Sequence, residues 1–351
     1  MVNEEQHLIS VNISAREALQ SLENLPPHAK RTLFLVSQER KLLGTLTDGD
    51  IRRGLLSGLE ISEEAEKFIN KKFKYLTNQA IDVDKIKDFK SLDITLVPIL
   101  DENGCLVQVL DLKKTKTVLP VSALIMAGGR GQRLQPLTDA TPKPMLLVGG
   151  KPIIEYNVDR LISFGIKEIF ISVKYLKEQI MDYFGDGSSK GVKIRYIEET
   201  EPLGTLGCLS LVQDLAEETL LVMNSDLLTN IDFEKFFKFF KESGADMSLV
   251  SIPYTVNVPY AVLETENYNV KAFSEKPSYT YYSNGGIYLM KSAFKNRLEK
   301  NVFYNATDLM DEMIDEDGKA LTHFPLLDYW LDIGKHQDFL QAQEDIKKIH
   351  I

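Results

Sequence analysis

The sequence predicts an α/β protein: a larger domain on a mostly parallel sheet with helices on both faces, preceded by a smaller α/β module. Three observations carry that reading. Beyond residue 120, apolar runs of strand length alternate with segments of helical spacing, the pattern of βαβ units. Before it, a strand–turn–strand pattern occurs twice, and such a repeat marks a unit of its own. A short polar, basic connector at 112–120 separates the two regions, so the domains are expected to span 1–118 and 119–351. A chain of 351 residues has room for about two compact units.

In the small module, 14–22 has helical spacing, and 32–36 and 41–46 read as strands around a polar turn. Thr47-Asp48-Gly49-Asp50 then opens a helix over 51–56, with Thr47 or Asp48 available as its N-cap. The second copy has strands at 95–100 and 105–110 around Asp101-Glu102-Asn103-Gly104. Aligning the copies sets Asp111 opposite Thr47 and Lys114 opposite Asp50. In the large domain, strands are predicted at 122–126, 168–173, 192–197 and 219–223, and helices at 152–164, 176–184, 207–214 and 233–242. Phe233, Phe236, Phe237 and Phe240 recur at i, i+3, i+4 and i+7, which predicts a buried helix face.

Composition narrows the function classes. A net charge of −10 argues against a nucleic-acid-binding surface, which needs clustered Lys and Arg. Residues 1–7 lack the basic start and apolar core of a signal peptide, and no run approaches the ~20 apolar residues of a membrane span. A cytoplasmic protein with no membrane contact is therefore expected. Cys105 and Cys208 are isolated, and both read as reduced, small core residues.

One stretch carries chemistry. The apolar run 122–126 feeds into Ala127-Gly128-Gly129-Arg130-Gly131-Gln132-Arg133-Leu134, where clustered glycines let backbone N–H groups approach a polyphosphate. Arg130, Arg133 and Lys143 supply positive charge. No Gly-Lys-Ser/Thr closes a P-loop, and the third glycine of a dinucleotide fingerprint is missing. The loop belongs to another class. Asp226 follows the apolar run 219–223, and Asp332 follows Tyr329-Trp330-Leu331. Ligands of open α/β sheets bind beyond the carboxyl ends of strands, and two carboxylates there suit Mg²⁺, though each could equally serve a turn or a cap.

The motif Gly-Gly-x-Gly-x-Arg-Leu-x-Pro-x-Thr over 128–138, with Pro142-Lys143-Pro144 downstream, resembles the signature of the sugar-1-phosphate nucleotidyltransferases. Pro202-Leu203-Gly204-Thr205-Leu206-Gly207, Asn224-Ser225-Asp226, Tyr260-Ala261-Val262, Glu275-Lys276-Pro277, Asn284-Gly285-Gly286 and Trp330-Leu331-Asp332 follow in that family's order. The resemblance runs from about Ser122 onward. It implies a Rossmann-like domain that joins a nucleoside triphosphate to a sugar 1-phosphate and releases pyrophosphate. It implies Arg133 and Lys143 as the catalytic cations, Asp226 and Asp332 as the Mg²⁺ ligands, and Ala127, Gly128, Gly129, Gly131 and Gly204 at the nucleotide. On the sugar side it points to Ala261, Glu275, Lys276, Asn284 and Gly285, with Ala261 standing where most members carry glycine.

The family reads the nucleobase just before Pro202. Here that stretch is Glu198-Glu199-Thr200-Glu201, and a carboxylate can accept from both guanine donors, N1–H and the 2-amino group. GTP is the expected donor and Glu199 the base-reading residue, with uridylyl, thymidylyl or cytidylyl transfer as alternatives. The arrangement resembles mannose-1-phosphate guanylyltransferases and the glucosamine-1-phosphate guanylyltransferases of legionaminic acid synthesis, which implies a product destined for a surface polysaccharide or glycan. The small module resembles a pair of CBS domains, with Thr47 and Asp50 implied as contacts of an adenosine nucleotide in the first copy and both replaced in the second. Its alternative role is docking, and a homo-oligomer is expected. A reading of another class, an inactive nucleotide-sensing protein, conflicts with the joint retention of Arg133, Lys143, Asp226 and Asp332.

Overall fold

The structure, a computed structural model, describes residues 4–27, 29–78, 83–314 and 320–349. Residues 1–3 of the N-terminal stretch discussed above lie outside the described residues. The chain forms two compact units, one of Met1–Leu119 with Ser163–Gly165 and one of Pro120–Ile162 with Ile166–Ile351.

The first unit repeats one pattern. Strand β1 (Leu8–Ser10) leads through α1 (Ala15–Glu23) to β2 (Thr32–Val36), then β3 (Leu42–Thr47) and α2 (Asp48–Leu56). The second copy runs β4 (Leu76–Thr77), α3 (Val83–Ser91), β5 (Leu96–Leu100) and β6 (Leu106–Asp111). In each copy the first strand lies parallel to the second and the second antiparallel to the third. Helix α1 forms because Ala15, Ala18 and Leu22 share one buried face and Ser14 closes a capping box with Glu17. Phe34, Val36 and Leu42 of the first copy pack with Leu96, Leu100, Leu106 and Val109 of the second, so the copies share a core. They part where the aligned sequences part. Thr47 and Asp50 cap α2, whereas Asp111 accepts from the Lys113 N–H at 2.9 Å in a turn that opens no helix.

The second unit contains β7 (Ser122–Met126), β8 (Leu147–Val148), β9 (Lys151–Pro152), α4 (Ile153–Ser163), β10 (Glu168–Val173), α5 (Lys177–Phe184), β11 (Lys193–Glu198), β12 (Thr219–Asn224), β13 (Leu227–Thr229) and α6 (Phe233–Ser243). It continues with β14 (Met247–Asn257), β15 (Val262–Glu266), β16 (Asn269–Ser274), β17 (Ser278–Lys291), α7 (Ala306–Ile314), β18 (Leu321–Pro325), β19 (Trp330–Asp332) and α8 (His336–Asp345). Seven strands form the main sheet in the order β11-β10-β7-β12-β17-β14-β18, and β17 alone runs antiparallel to its neighbours. Ala123, Leu124 and Ile125 are fully buried, as expected of a strand covered on both faces. The phenylalanine stripe of α6 is buried as the periodicity predicts, and Asp232 caps that helix. At 207–214 the predicted helix is a 3₁₀ segment, Gly207–Leu211, because the loop before it is tied to Tyr304. Cys208 is a core residue, but Cys105 is only half-buried, with its thiol 3.4 Å from the Glu39 carbonyl.

Candidate active site

The glycine loop leaves the carboxyl end of β7. The Ala127 N–H reaches the Ser172 carbonyl at 2.9 Å, holding the chain against β10 until the glycines begin. At Gly128 a Cβ would stand 3.1 Å from Oε1 of Glu199. Gly131 has φ +65°, and a Cβ there would stand 2.9 Å from the Cβ of Lys143. Glycine alone lets the loop lie down on the lysine segment. Buried Thr138 fixes that fold by donating to the Gly131 carbonyl at 2.9 Å. Arg130 stacks 5.3 Å over the ring of Tyr175, whose hydroxyl donates to the carbonyls of Thr138 and Asp139. Arg133 is exposed on the turn Gln132–Leu134, within reach of Gly334.

Lys143 is buried, and its ammonium donates to Oδ2 of Asp226 and lies 4.0 Å from Oδ1 of Asp332. The two carboxylates meet because β13 and β19 pair antiparallel: Asp332 stands opposite Leu227, the residue after Asp226, and the Ile333 N–H reaches the Asp226 carbonyl at 3.1 Å. Oδ1 of each aspartate is buried without a hydrogen-bond partner. Burial first, and the Asp226 charge second, push the Asp332 carboxyl above its ordinary value, against the pull of Lys143 and Arg133. Two hard oxygens left without donors fit a divalent ion that keeps water or phosphate oxygens as its other ligands. Among the described residues, no group of three or more His, Cys, Asp or Glu side chains converges to hold a metal on its own.

Sequence reasoning did not single out Asn157. Its Nδ2 donates to the carbonyls of Ser225 at 3.2 Å and Leu227 at 3.0 Å, straddling Asp226 and fixing the turn that presents it. The signal was there: Asn157 is an amide on the buried face of α4, among Ile153, Ile154, Val158 and Leu161. Ser172 was also passed over. Its hydroxyl donates to Oε1 of Glu199, while the Leu203 N–H donates to Oε2 at 3.1 Å. The Glu199 carboxylate thereby organises the turn into Pro202-Leu203-Gly204. Nearby, burial and then the Glu199 charge push the Cys208 thiol up to about 12, so it stays protonated and inert at neutral pH. Gly204, with φ +73°, packs where a Cβ would meet the Tyr304 carbonyl at 2.7 Å.

These parts line one cleft of about 1330 Å³. Gly128, Gly129, Gly131, Arg133, Lys143, Glu199, Gly204 and Asp226 all contribute, as does Gly334, whereas Ala127 and Asp332 do not line it. The sugar-side candidates are placed elsewhere. Asn284 and Gly285 precede Gly286, whose added Cβ would meet Asn224, and the Trp330 indole N–H reaches the Gly285 carbonyl at 2.9 Å. Ala261, Glu275 and Lys276 are exposed, and none of these five lines the cleft. In the first unit, Thr47 and Asp50 spend their side chains on each other: Oδ2 of Asp50 accepts from the Thr47 N–H at 2.9 Å and its hydroxyl at 2.5 Å, and Oδ1 pairs with Arg53 at 2.5 Å.

A glycine loop over a buried lysine, with two carboxylates at adjoining strand ends, is an α/β arrangement able to neutralise and orient a polyphosphate. Residues 122–349 match the sequence model of the family described as Nucleotidyl transferase, and the chain belongs to that family. It is 32% identical over 229 residues to a rice (Oryza sativa subsp. japonica) protein named "Probable mannose-1-phosphate guanylyltransferase 1", covering 63% of each chain. With the mannose-1-phosphate guanylyltransferase catalytic subunit beta of Drosophila melanogaster it shares 32% over 225 residues, 62% of this chain and 60% of the other. The chain thus spans less than two thirds of the length of these relatives. A crystal structure of a Bacillus anthracis protein assigned as a glucose-1-phosphate thymidylyltransferase superimposes with TM-score 0.54 at 24% identity, over 66% of this chain and 97% of the other, a likeness of fold. Among the described residues no helix is long and apolar enough to cross a membrane.

Proposed function

We propose that the chain transfers a nucleotidyl group from a nucleoside triphosphate, GTP before others, to a sugar 1-phosphate, releasing pyrophosphate. The observation that carries this reading is Lys143, buried beneath the glycine loop and within 4.0 Å of both Asp226 and Asp332. A sugar-phosphate oxygen must attack the α-phosphorus in line with departing pyrophosphate, so positioning and charge neutralisation dominate. The backbone N–H groups of 128–131 would cradle the phosphates. Arg133 and Lys143 would balance the charge that gathers on the leaving group. Asp226 and Asp332 would hold Mg²⁺, which when bound screens the phosphate oxygens and polarises the reacting phosphorus. Asn157 keeps Asp226 in place through its two carbonyl contacts.

GTP is supported by Glu199, which lines the cleft beside Gly128 and keeps acceptor capacity on both oxygens after its contacts with Ser172 and Leu203. The names of the relatives, mannose-1-phosphate guanylyltransferases, point the same way. The sugar would be a hexose or hexosamine 1-phosphate, and the product would feed the synthesis of a surface polysaccharide or of a glycan decoration, for example by way of legionaminic acid. Pyrophosphate release with GTP, UTP, dTTP, CTP and ATP, crossed against hexose and hexosamine 1-phosphates, tests the donor and the sugar. The strongest turnover is expected in the GTP row; equal or better turnover with UTP or dTTP overturns the base assignment. For the first unit, we read either an adenosine nucleotide at Thr47 and Asp50 or a docking role.

A further inference from the structure

Reading guanine with a carboxylate requires both oxygens to lie in the plane of the base, because N1–H and the 2-amino group point outward side by side. The Glu199 side chain alone cannot set that plane. The last torsion of a glutamate is broad, with no staggered well to hold it, so the orientation must come from donors that grip the two oxygens separately. The structure supplies one for each. The Leu203 N–H donates to Oε2 at 3.1 Å, and the Ser172 hydroxyl donates to Oε1.

Ser172 is out of keeping with its strand. It stands near the end of β10, in the run Ile169-Phe170-Ile171-Ser172-Val173, and is 1% exposed. A hydroxyl buried in an apolar strand carries a desolvation cost that only a fixed partner offsets, and here that partner is Glu199. The same strand end anchors the glycine loop and Glu199 together. The Ser172 carbonyl accepts from the Ala127 N–H at 2.9 Å, where the loop begins, and the Glu199 N–H reaches the carbonyl of the next residue, Val173, at 3.0 Å. Gly128 closes the arrangement. A Cβ there would stand 3.1 Å from Oε1 and 3.5 Å from the Ser172 hydroxyl oxygen, so the loop passes close against this contact.

The direction of the Ser172 proton is also set. Fully buried Cys208 is a second neighbour of the hydroxyl, and burial followed by the Glu199 charge pushes that thiol up to about 12. A thiol that stays protonated at neutral pH accepts only weakly, so the hydroxyl proton goes to Glu199. Each Glu199 oxygen then has acceptor capacity left, and Glu199 lines the cleft.

We propose that Ser172 is a positioning residue for base recognition: by holding Oε1 against the Leu203 grip on Oε2, it fixes the plane of the Glu199 carboxylate, which then selects a purine offering two adjacent donors. The inference rests on the guanine reading proposed above. It adds that selection is lost when the carboxylate is intact but unheld. Hypoxanthine, which keeps N1–H and lacks the 2-amino group, separates a two-point contact from a one-point contact.

Calorimetric titration of the full chain with GTP and with ITP, without sugar phosphate, tests this on binding alone. Wild type is expected to bind GTP about 10- to 100-fold more tightly than ITP, the usual effect of a hydrogen bond to a charged group. In Ser172→Ala the gap should narrow to about threefold or less, because a swivelling carboxylate meets the two bases almost alike. Ser172→Thr and Ser172→Val, which match each other in shape, repeat the comparison with the hydroxyl kept and removed. The gap should persist in the first and close in the second. A gap that both Ser172→Ala and Ser172→Val keep, as a merely structural hydroxyl would give, overturns the proposal while the guanine reading stands. A wild type that binds GTP and ITP alike overturns the guanine reading and this proposal with it.

Discussion

Asp226 accepts from the Lys143 ammonium through Oδ2 while its Oδ1 stays buried and unpartnered. One lysine therefore faces two carboxylates at close range, with Arg133 adding a weaker pull on Asp332. Even so, burial first and the Asp226 charge second disfavour the ionised form of Asp332. A buried carboxylate held above its ordinary pKa opposes folding when ionised, and a bound cation would relieve it.

Asp332→Asn is accordingly expected to raise stability and destroy activity together. The folded-state pKa lies above the ordinary 3.8, so ionising Asp332 opposes folding. That penalty is absent below the unfolded value and fully present once the pH exceeds the raised folded value. Scanning calorimetry should show the variant melting above wild type at neutral pH, with the gap closing as pH falls through the acid range toward 3.8. Turnover should drop on the order of 100-fold or more, the loss of several kcal/mol of transition-state stabilisation. A variant that melts lower at pH 7, or turns over normally in excess chelator, contradicts this account.

Replacing Asn157 separates positioning from folding. Asn157→Leu keeps the volume but strips the donors from the carbonyls of Ser225 and Leu227, which costs about 1–3 kcal/mol for buried groups left unpaired. Because those carbonyls flank Asp226, kcat should fall about tenfold or more while KM for the sugar phosphate changes little. Raising the Mg²⁺ concentration should recover part of the rate. A purely structural role predicts the same loss of Tm with kcat intact.

How much of this the sequence disclosed depends on the range of the forces involved. Strands β7, β10, β11 and β12 and helices α2 and α6 were legible because their signals are local: apolar runs, the Thr47 cap, the phenylalanine stripe. The glycine loop was legible for the same reason, as Gly131 needs a positive φ that its motif encodes. The antiparallel insertion of β17 between β12 and β14 was not, because pairing partners lie far apart in the chain and leave no periodic trace. Nor was the exposed placement of Glu275 and Lys276, which depends on where the β14 segment Tyr254–Asn257 points after leaving the sheet. The paired use of Glu199 by Ser172 and Leu203 is likewise a tertiary fact, and it converts a residue read as a base contact into one that also holds its own turn.

That double duty sharpens the specificity prediction. Glu199→Gln retains an acceptor for the Leu203 N–H, but its amide group turns a donor toward either Ser172 or the cleft. If the carboxylate reads guanine, kcat/KM for GTP relative to UTP should fall by about 1–3 kcal/mol, with melting temperature lowered slightly through the Leu203 turn. Steady-state kinetics with both triphosphates provide the check. Equal losses with GTP and UTP would assign Glu199 to loop architecture alone.

The first unit offers the last test. Asp50 already caps α2 through Thr47 and pairs with Arg53, so removing it has a structural cost independent of any ligand. Asp50→Ala should destabilise the unit by about 1 kcal/mol through the lost cap. An adenosine nucleotide read by Thr47 and Asp50 would have to compete with these internal contacts, so its affinity should be modest and should vanish in the variant. Calorimetry with AMP, ADP and ATP on the full chain, with Asp50→Ala and Thr47→Ser beside wild type, distinguishes the roles. Thr47→Ser preserves the capping hydroxyl and should bind like wild type if a ligand is present. Binding that survives Asp50→Ala, or no heat with any nucleotide, removes the sensor reading and leaves a module whose two copies serve only to dock.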